Sequence, residues 1–172
     1  MTHKQDVLQA RLGPQIQALK AQARTIMLAT LDKEGNPNVS YAPFVINNGE
    51  YQVLISTIAR HARNLLECPK VSLMIIEDES KSRQIFARHR LTFDGAARVV
   101  ERHSDEWRQS LAALKARHGD LIDELAGLED FKLFSFKPER GLFVKGFGQA
   151  FQVSTDDLVD VVHLEQGHQK EM

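Results

Sequence analysis

Between Thr25 and Val153 the apolar residues fall into short runs divided by turn residues, and this pattern limits the fold more than any other feature of the chain. "TIMLATLD" is a continuous apolar run, as expected for a strand buried on both faces. After the turn "KEGNP", the stretches "NVSYAPFVI" and "YQVLIS" read as a hairpin closed at "NNGE", where Asn-Gly suits a tight turn. "KVSLMII" is a further strand. In "RLTFDGAARVV", Leu91, Phe93, Ala97 and Val99 alternate with Arg90, Thr92, Asp94 and Arg98, which gives one wet or functional face. "FKLFSFKP", a turn at "PERG" and "LFVKGFGQAFQV" complete the set. Gly95, Gly146 and Gly148 inside these runs mark sharp bends, as in a closed barrel. The expectation is a mainly β chain, a six-stranded antiparallel barrel with peripheral helices.

The helices fall around this β segment. Val7, Leu8, Leu12, Ile16 and Leu19 recur at spacings of three and four and form one face of an opening helix over about residues 4–23, with Gly13-Pro14 expected to kink or break it. "ARHARNLLE" is a short helix that stops before Pro69. Ser104 caps a helix with Asp105 and Glu106 in its first turn and a stripe of Trp107, Leu111 and Leu114. A second stripe follows at Leu121, Ile122, Leu125 and Leu128. Thr155, Asp156 and Asp157 open a final helix that Gly167 ends, so that helix and tail occupy about residues 155–172. No linker or repeat divides the chain, and a single domain over 1–172 is expected, with the barrel at about 25–153.

The 172 residues carry a formal net charge of −1, which argues against nucleic acid or an anionic membrane as the main partner. No apolar run approaches the ~20 residues of a spanning helix. The N-terminus is too polar for a secretory signal, and Cys68 stands alone, so neither a disulfide framework nor a cysteine-based zinc site is expected. A cytoplasmic location follows by elimination.

The segments "NVSYAPFV", "ISTIARHARNL", "VSLMIIED", "IFARHRLTFD", "GLFVKGFGQAFQVS" and "DDLVDVVHLEQGH" together resemble the HugZ/HutZ haem-utilisation branch of the pyridoxamine phosphate oxidase-like, FMN-binding split-barrel superfamily. The likeness covers nearly the whole chain, in order. It implies a split β-barrel that forms a homodimer and binds haem between protomers. It also implies degradation of haem, as substrate, by O2 and an external reductant, with release of iron and a biliverdin-type product. A haem-delivery protein and an electron donor are the further partners implied. The resemblance places the axial ligand of haem iron at His168, an acidic residue bonded to that ligand at Asp130 in "LEDFKLF", and a haem-face arginine at Arg90 in "ARHRLTF". FMN is the alternative cofactor, as in the parent superfamily, and a haem carrier without turnover is the alternative role.

Read as residues, these positions carry plainer alternatives. A tail histidine is ordinarily solvated, but Gly167 frees the backbone just before His168. His163, five residues earlier, is set at a poor angle on a helix to share a metal with it. Asp130 is either a turn residue or an acceptor that fixes the tautomer of the ligand imidazole. Arg88 and Arg90 share a face if their strand begins early, and either could hold a haem propionate, a flavin phosphate or a distal water chain. Arg60, His61 and Arg63 carry the same ambiguity, with His61 the second choice for the haem pocket. Gly146 and Gly148 read as a barrel bend or as a flat strand surface for a macrocycle, and Cys68 as a small buried apolar residue.

Overall fold

The computed structural model describes residues 3–160. Four α-helices occur among them: α1 (His3–Gln22), α2 (Arg60–Glu67), α3 (Asp105–His118) and α4 (Leu121–Ala126). The strands are β1 (Thr25–Leu31), β2 (Pro37–Pro43), β3 (Val45–Asn47), β4 (Glu50–Ser56), β5 (Lys70–Ile76), β6 (Arg90–Val99), β7 (Phe131–Gly146), β8 (Gln149–Val153) and β9 (Val159–Asp160). They hydrogen-bond in the order β2-β1-β5-β6-β7-β4-β3, with β8 on β7 and β9 on β8. Every pair with a defined register is antiparallel. No helix among the described residues is long and apolar enough to cross a membrane.

Nine strands occur among the described residues where six are expected, for local reasons. The hairpin run "NVSYAPFVI" is divided at Phe44, so that β2 pairs with β1 while β3 pairs with β4 across the left-handed Asn48-Gly49 turn. The turn expected at "PERG" does not form. Pro138 instead lies inside β7, between the last residue paired with β4 (Phe136) and the first paired with β8 (Gly141). On that edge its missing N–H removes no ladder bond. The hairpin turn comes later, at Phe147-Gly148, where Gly148 takes φ 63°. Gly146 therefore ends β7 and Gly148 lies in the turn itself, so the two do not share a strand face. Likewise α1 runs unbroken through Gly13-Pro14.

Contacts divide the described chain into two compact units. The first comprises residues 3–23, 74–93 and 140–160, the second residues 24–73 and 94–139. In the second unit, β4 is buried on both faces over Tyr51–Ile55, and its partner stretch of β7 is buried over Leu133–Phe136. Helices α3 and α4 supply the cover: Trp107, Leu114 and Ile122 cluster with Val45, Leu54, Val100 and Leu133. Ser104 caps α3 by accepting the Trp107 N–H at 3.1 Å, as its sequence position predicts. Arg98 ties α3 to the sheet through Glu106 (2.6 Å) and Glu50 (2.7 Å), and its guanidinium holds the Glu106 carboxyl below the ordinary range.

Strand β1, expected to be buried on both faces, is buried on one. Ile26, Leu28 and Thr30 point inward, while Thr25 and Ala29 are exposed and Met27 and Leu31 half-buried. Across the ladder, Met27 faces Tyr41 and Ala29 faces Val39, which are 67% and 66% exposed. The run is mostly apolar, but the described residues cover only one of its faces. In the first unit the buried residues include Leu12, Ile16 and Leu19 of α1, with Ile75, Leu91, Phe93, Phe143, Phe151 and Val159.

Gly95 is required by close backbone approach. A Cβ there would lie 2.6 Å from the Lys137 carbonyl oxygen, in the neighbouring β7. Gly95→Ala is therefore expected to destabilise the protein by about 1–3 kcal/mol, the ordinary cost of overpacking against an atom that cannot turn away. Chemical denaturation should show a lower midpoint with an unchanged slope.

Candidate functional site

The second unit carries a polar corner where β4 ends. Strand β4 is apolar until Ser56, whose hydroxyl donates to Asp130 Oδ2 and accepts the Ile58 N–H at 3.1 Å. The Thr57 N–H donates to the Asp130 carbonyl at 2.8 Å. The register that sets Ser56 opposite Phe131 brings Asp130 to this place. One bond thus holds the backbone of Asp130 and the other its half-buried carboxylate, whose Oδ1 has no hydrogen-bond partner among the described residues. An acceptor fixed in direction, with one open oxygen, is what an outer partner of a ligating imidazole requires.

The same corner leads into α2. Ala59 N–H bonds the Ser56 carbonyl at 3.0 Å, and Arg63 donates to the Ile58 carbonyl. Asn64, buried on the inner face of α2, donates to Thr30 Oγ1 of β1 at 3.0 Å and so docks the helix. Arg60 pairs with Asp32 at 3.4 Å. The docking seats His61 with Nδ1 2.8 Å from Ser40 Oγ, leaving Nε2 without a partner among the described residues. Burial lowers the basicity of the ring, so the imidazole is neutral near pH 7, the form that can bind a metal. A largely apolar cavity of about 440 Å³ also lies in this unit, lined by Ala29, Leu31 and Pro37 with Val71 of β5 and Gly95 and Ala96 of β6.

The first unit holds the two arginines, and here the structure corrects the shared face. Strand β6 begins at Arg90, so Arg88 lies outside it, just after a single 3-10 turn at Ile85–Ala87. Arg88 donates through Nε (3.2 Å) and Nη2 (2.5 Å) to the Glu77 carbonyl and pairs with Glu79 at 3.2 Å. Glu77 also accepts the His89 N–H at 3.0 Å. Arg88 and Glu77 thereby close the 77–89 segment upon itself. Arg90 is engaged less: Nη1 donates to the Arg88 carbonyl at 3.2 Å, and no carboxylate among the described residues pairs with it. Half-buried, its charge is open to an anion. Phe86, 80% exposed, and Phe147, 63% exposed, stack with ring centroids 6.4 Å apart in this unit and leave an apolar surface.

The sequence candidates thus fall into two sets. Asp130 and His61 belong to one corner of the second unit; Arg88 and Arg90 belong to one segment of the first. His168, and with it His163, lies outside the described residues. Ser56, Ser40 and Glu77 were not singled out by sequence. A signal existed only for Ser56, the polar residue that ends an otherwise buried strand; the partners of His61 and Arg88 come from register and turn geometry.

The family model of pyridoxamine 5'-phosphate oxidase matches residues 12–145. The chain is 59% identical over 167 residues to the heme oxygenase HutZ of Vibrio cholerae serotype O1, covering 97% of this chain and 95% of that protein. Among solved structures it is similar to HutZ from Vibrio cholerae, there described as a heme storage protein, at 56% identity with a TM-score of 0.76, covering 80% of this chain and 96% of that one. It is also similar to ChuZ of Campylobacter jejuni, at 26% identity with a TM-score of 0.84, covering 95% of this chain and 67% of that one.

Proposed function

The chain belongs to the HutZ heme oxygenase family, within the pyridoxamine 5'-phosphate oxidase-like superfamily and with its split-barrel fold, and on that premise we propose that it binds haem as substrate and degrades it with O2 and an external reductant. When bound, haem supplies the iron at which O2 is activated, and its ring is the substrate that is opened. The observation that carries the reading for this chain is the Asp130 carboxylate, oriented by the Ser56 hydroxyl on Oδ2 and with no partner on Oδ1 among the described residues.

The protein's own residues then divide the work. His168 donates the imidazole lone pair to iron. Asp130 accepts the other ring N–H, fixes the tautomer and makes the imidazole a stronger donor. Arg90, with no carboxylate partner among the described residues, would hold a haem propionate or a hydrogen-bonded water in the pocket. Arg88, engaged by Glu77 and Glu79, keeps the segment carrying Arg90 in shape. His61 is the reserve ligand, neutral and open at Nε2. The exposed apolar face of β1 and β2 supports a homodimer, in which a second copy covers Val39 and Tyr41. A cytoplasmic setting suits a reaction that draws on a cellular reductant, and the lone Cys68 accords with it.

Haem titration of the purified protein tests this. A Soret band should saturate at an equimolar ratio, and ascorbate in air should then bleach it with appearance of a bilin. A band that persists through reductant and air would make the protein a haem store. Yellow flavin retained through purification, with no haem band, would make it an FMN-dependent oxidoreductase.

A further inference from the structure

The turn that leads into the C-terminal tail is held far more firmly than a surface turn needs. Three residues of α1 reach it from one stripe of the helix. Lys20 Nζ lies 2.6 and 2.5 Å from the two carboxylate oxygens of Asp157, with the side chains 10% and 16% exposed. Gln17 Nε2 donates to Asp157 Oδ2 at 2.8 Å. Gln9 makes a double contact with the backbone: its Nε2 donates to the Asp157 carbonyl (3.2 Å) and its Oε1 accepts the Val159 N–H (2.7 Å). Asp157 takes φ 59°, a left-handed conformation for a residue with a Cβ. Ser154 braces the same turn: its carbonyl accepts the Asp157 N–H at 3.1 Å, and its N–H and hydroxyl both bond the backbone of Leu158.

Local structure gives no reason for this. Strand β9 is two residues long, pairing Val159 with Val153 and Asp160 with Gln152, and so short a ladder does not hold itself in place. A nearly buried ion pair is a poor way to add stability, because desolvation offsets most of its attraction; its best-attested use is to fix one arrangement among several. The segment that carries His168 comes directly after this anchor in the sequence.

We propose that Lys20 and Asp157, with Gln9 and Gln17, are positioning residues that fix where the chain enters its C-terminal tail and thereby hold the His168 imidazole at haem iron. The proposal rests on His168 as the ligand. In the sequence, Asp160 at the end of β9 precedes His168 by eight residues, and Val153 at the end of β8, the hold that remains when the clamp is open, precedes it by fifteen. Chain statistics alone then lower the effective concentration of the imidazole roughly threefold, before any loss of direction is counted.

The test measures transfer of haem from the loaded protein to a haem-free myoglobin acceptor, alongside hydrogen exchange of the Val159 amide in the haem-free protein. Lys20→Met should release haem about threefold faster or more, Lys20→Arg should release it at nearly the wild-type rate, and the Val159 amide should exchange faster in Lys20→Met than in wild type. In a His168→Ala background, Lys20→Met should add nothing. Gln9→Ala and Gln17→Ala, which break no ion pair, carry the same comparison if Lys20→Met does not fold. Wild-type release from all three variants, with fast release from His168→Ala, overturns the clamp and leaves the ligand in place. Equal acceleration with and without His168 overturns it also, since the residues would then act elsewhere. Unchanged release from His168→Ala removes the ligand itself, and the clamp falls with it.

Discussion

His168→Ala is expected to lose the imidazole-ligated haem spectrum and to weaken haem binding by more than the 10–100-fold that outer partners of a metal ligand ordinarily contribute. Turnover with reductant and air should fall in step, because donation from the imidazole is what readies the iron. The reasoning is chemical. An axial nitrogen ligand is the one strong directional bond a protein makes to haem, and the remaining contacts are apolar or ionic. Added imidazole should restore the spectrum in part by refilling the vacated coordination position. His163→Ala is the control and should bind haem as wild type does. Should His168→Ala keep an imidazole-ligated spectrum, His61 becomes the ligand to test, since burial lowers the basicity of its ring and its Nε2 has no partner among the described residues. A double variant lacking both rings would then lose the spectrum. Retention of it even there would end the proposal that a histidine of this chain holds the iron.

The pattern of apolar runs made the β architecture legible, because burial on one or both faces of a strand is written in which residues alternate. It said less about where a strand stops, since that depends on partners. Pro138 sits in a stretch with the signal of a turn and yet β7 passes through it, because β4 ends before that position and β8 begins after it. Thr155-Asp156-Asp157 has the composition of a helix start, but residues 155–158 form a turn and β9 follows at Val159–Asp160, so the expected helix is absent over that stretch. Lys20 and Gln17 claim the Asp157 carboxylate that would otherwise serve a helix N-terminus. The site was legible as residue types and not as roles. Nothing in "ARHRLTF" shows that Arg88 is engaged by Glu77 and Glu79 while Arg90 has no carboxylate partner among the described residues; that difference arises only when the 77–89 segment closes. Asp130 reads in sequence as a turn residue or as an acceptor; the structure shows its carbonyl serving the turn at Thr57 and its carboxylate accepting the Ser56 hydroxyl, and the acceptor role toward a ligand imidazole is the proposal made above.

Asp130→Asn separates those two duties. The carbonyl bond to Thr57 N–H is retained, and the amide nearly matches the carboxylate in shape, so the fold should persist. What changes is the charge on the acceptor. A neutral amide oxygen accepts an imidazole N–H more weakly than a carboxylate, so less electron density is passed through the ring to iron. Turnover is expected to drop about 10–100-fold, whereas haem affinity should change much less, since the iron–nitrogen bond itself remains. In the reduced protein the iron–histidine stretching frequency should fall, a readout that a merely structural role for Asp130 would not move. Ser56→Ala approaches the same point from the other side: it removes the hydroxyl that orients Oδ2 and leaves the charge. Its effect on turnover should be smaller and in the same direction, with a loss of about 1–2 kcal/mol of stability for a partly exposed hydrogen bond to a charged group. If both act through one imidazole, the double variant should be no slower than Asp130→Asn alone, because an amide that no longer pulls on the ring gains little from being aimed. Wild-type turnover in Asp130→Asn would return Asp130 to the role of a turn residue and leave His168 without an acidic partner.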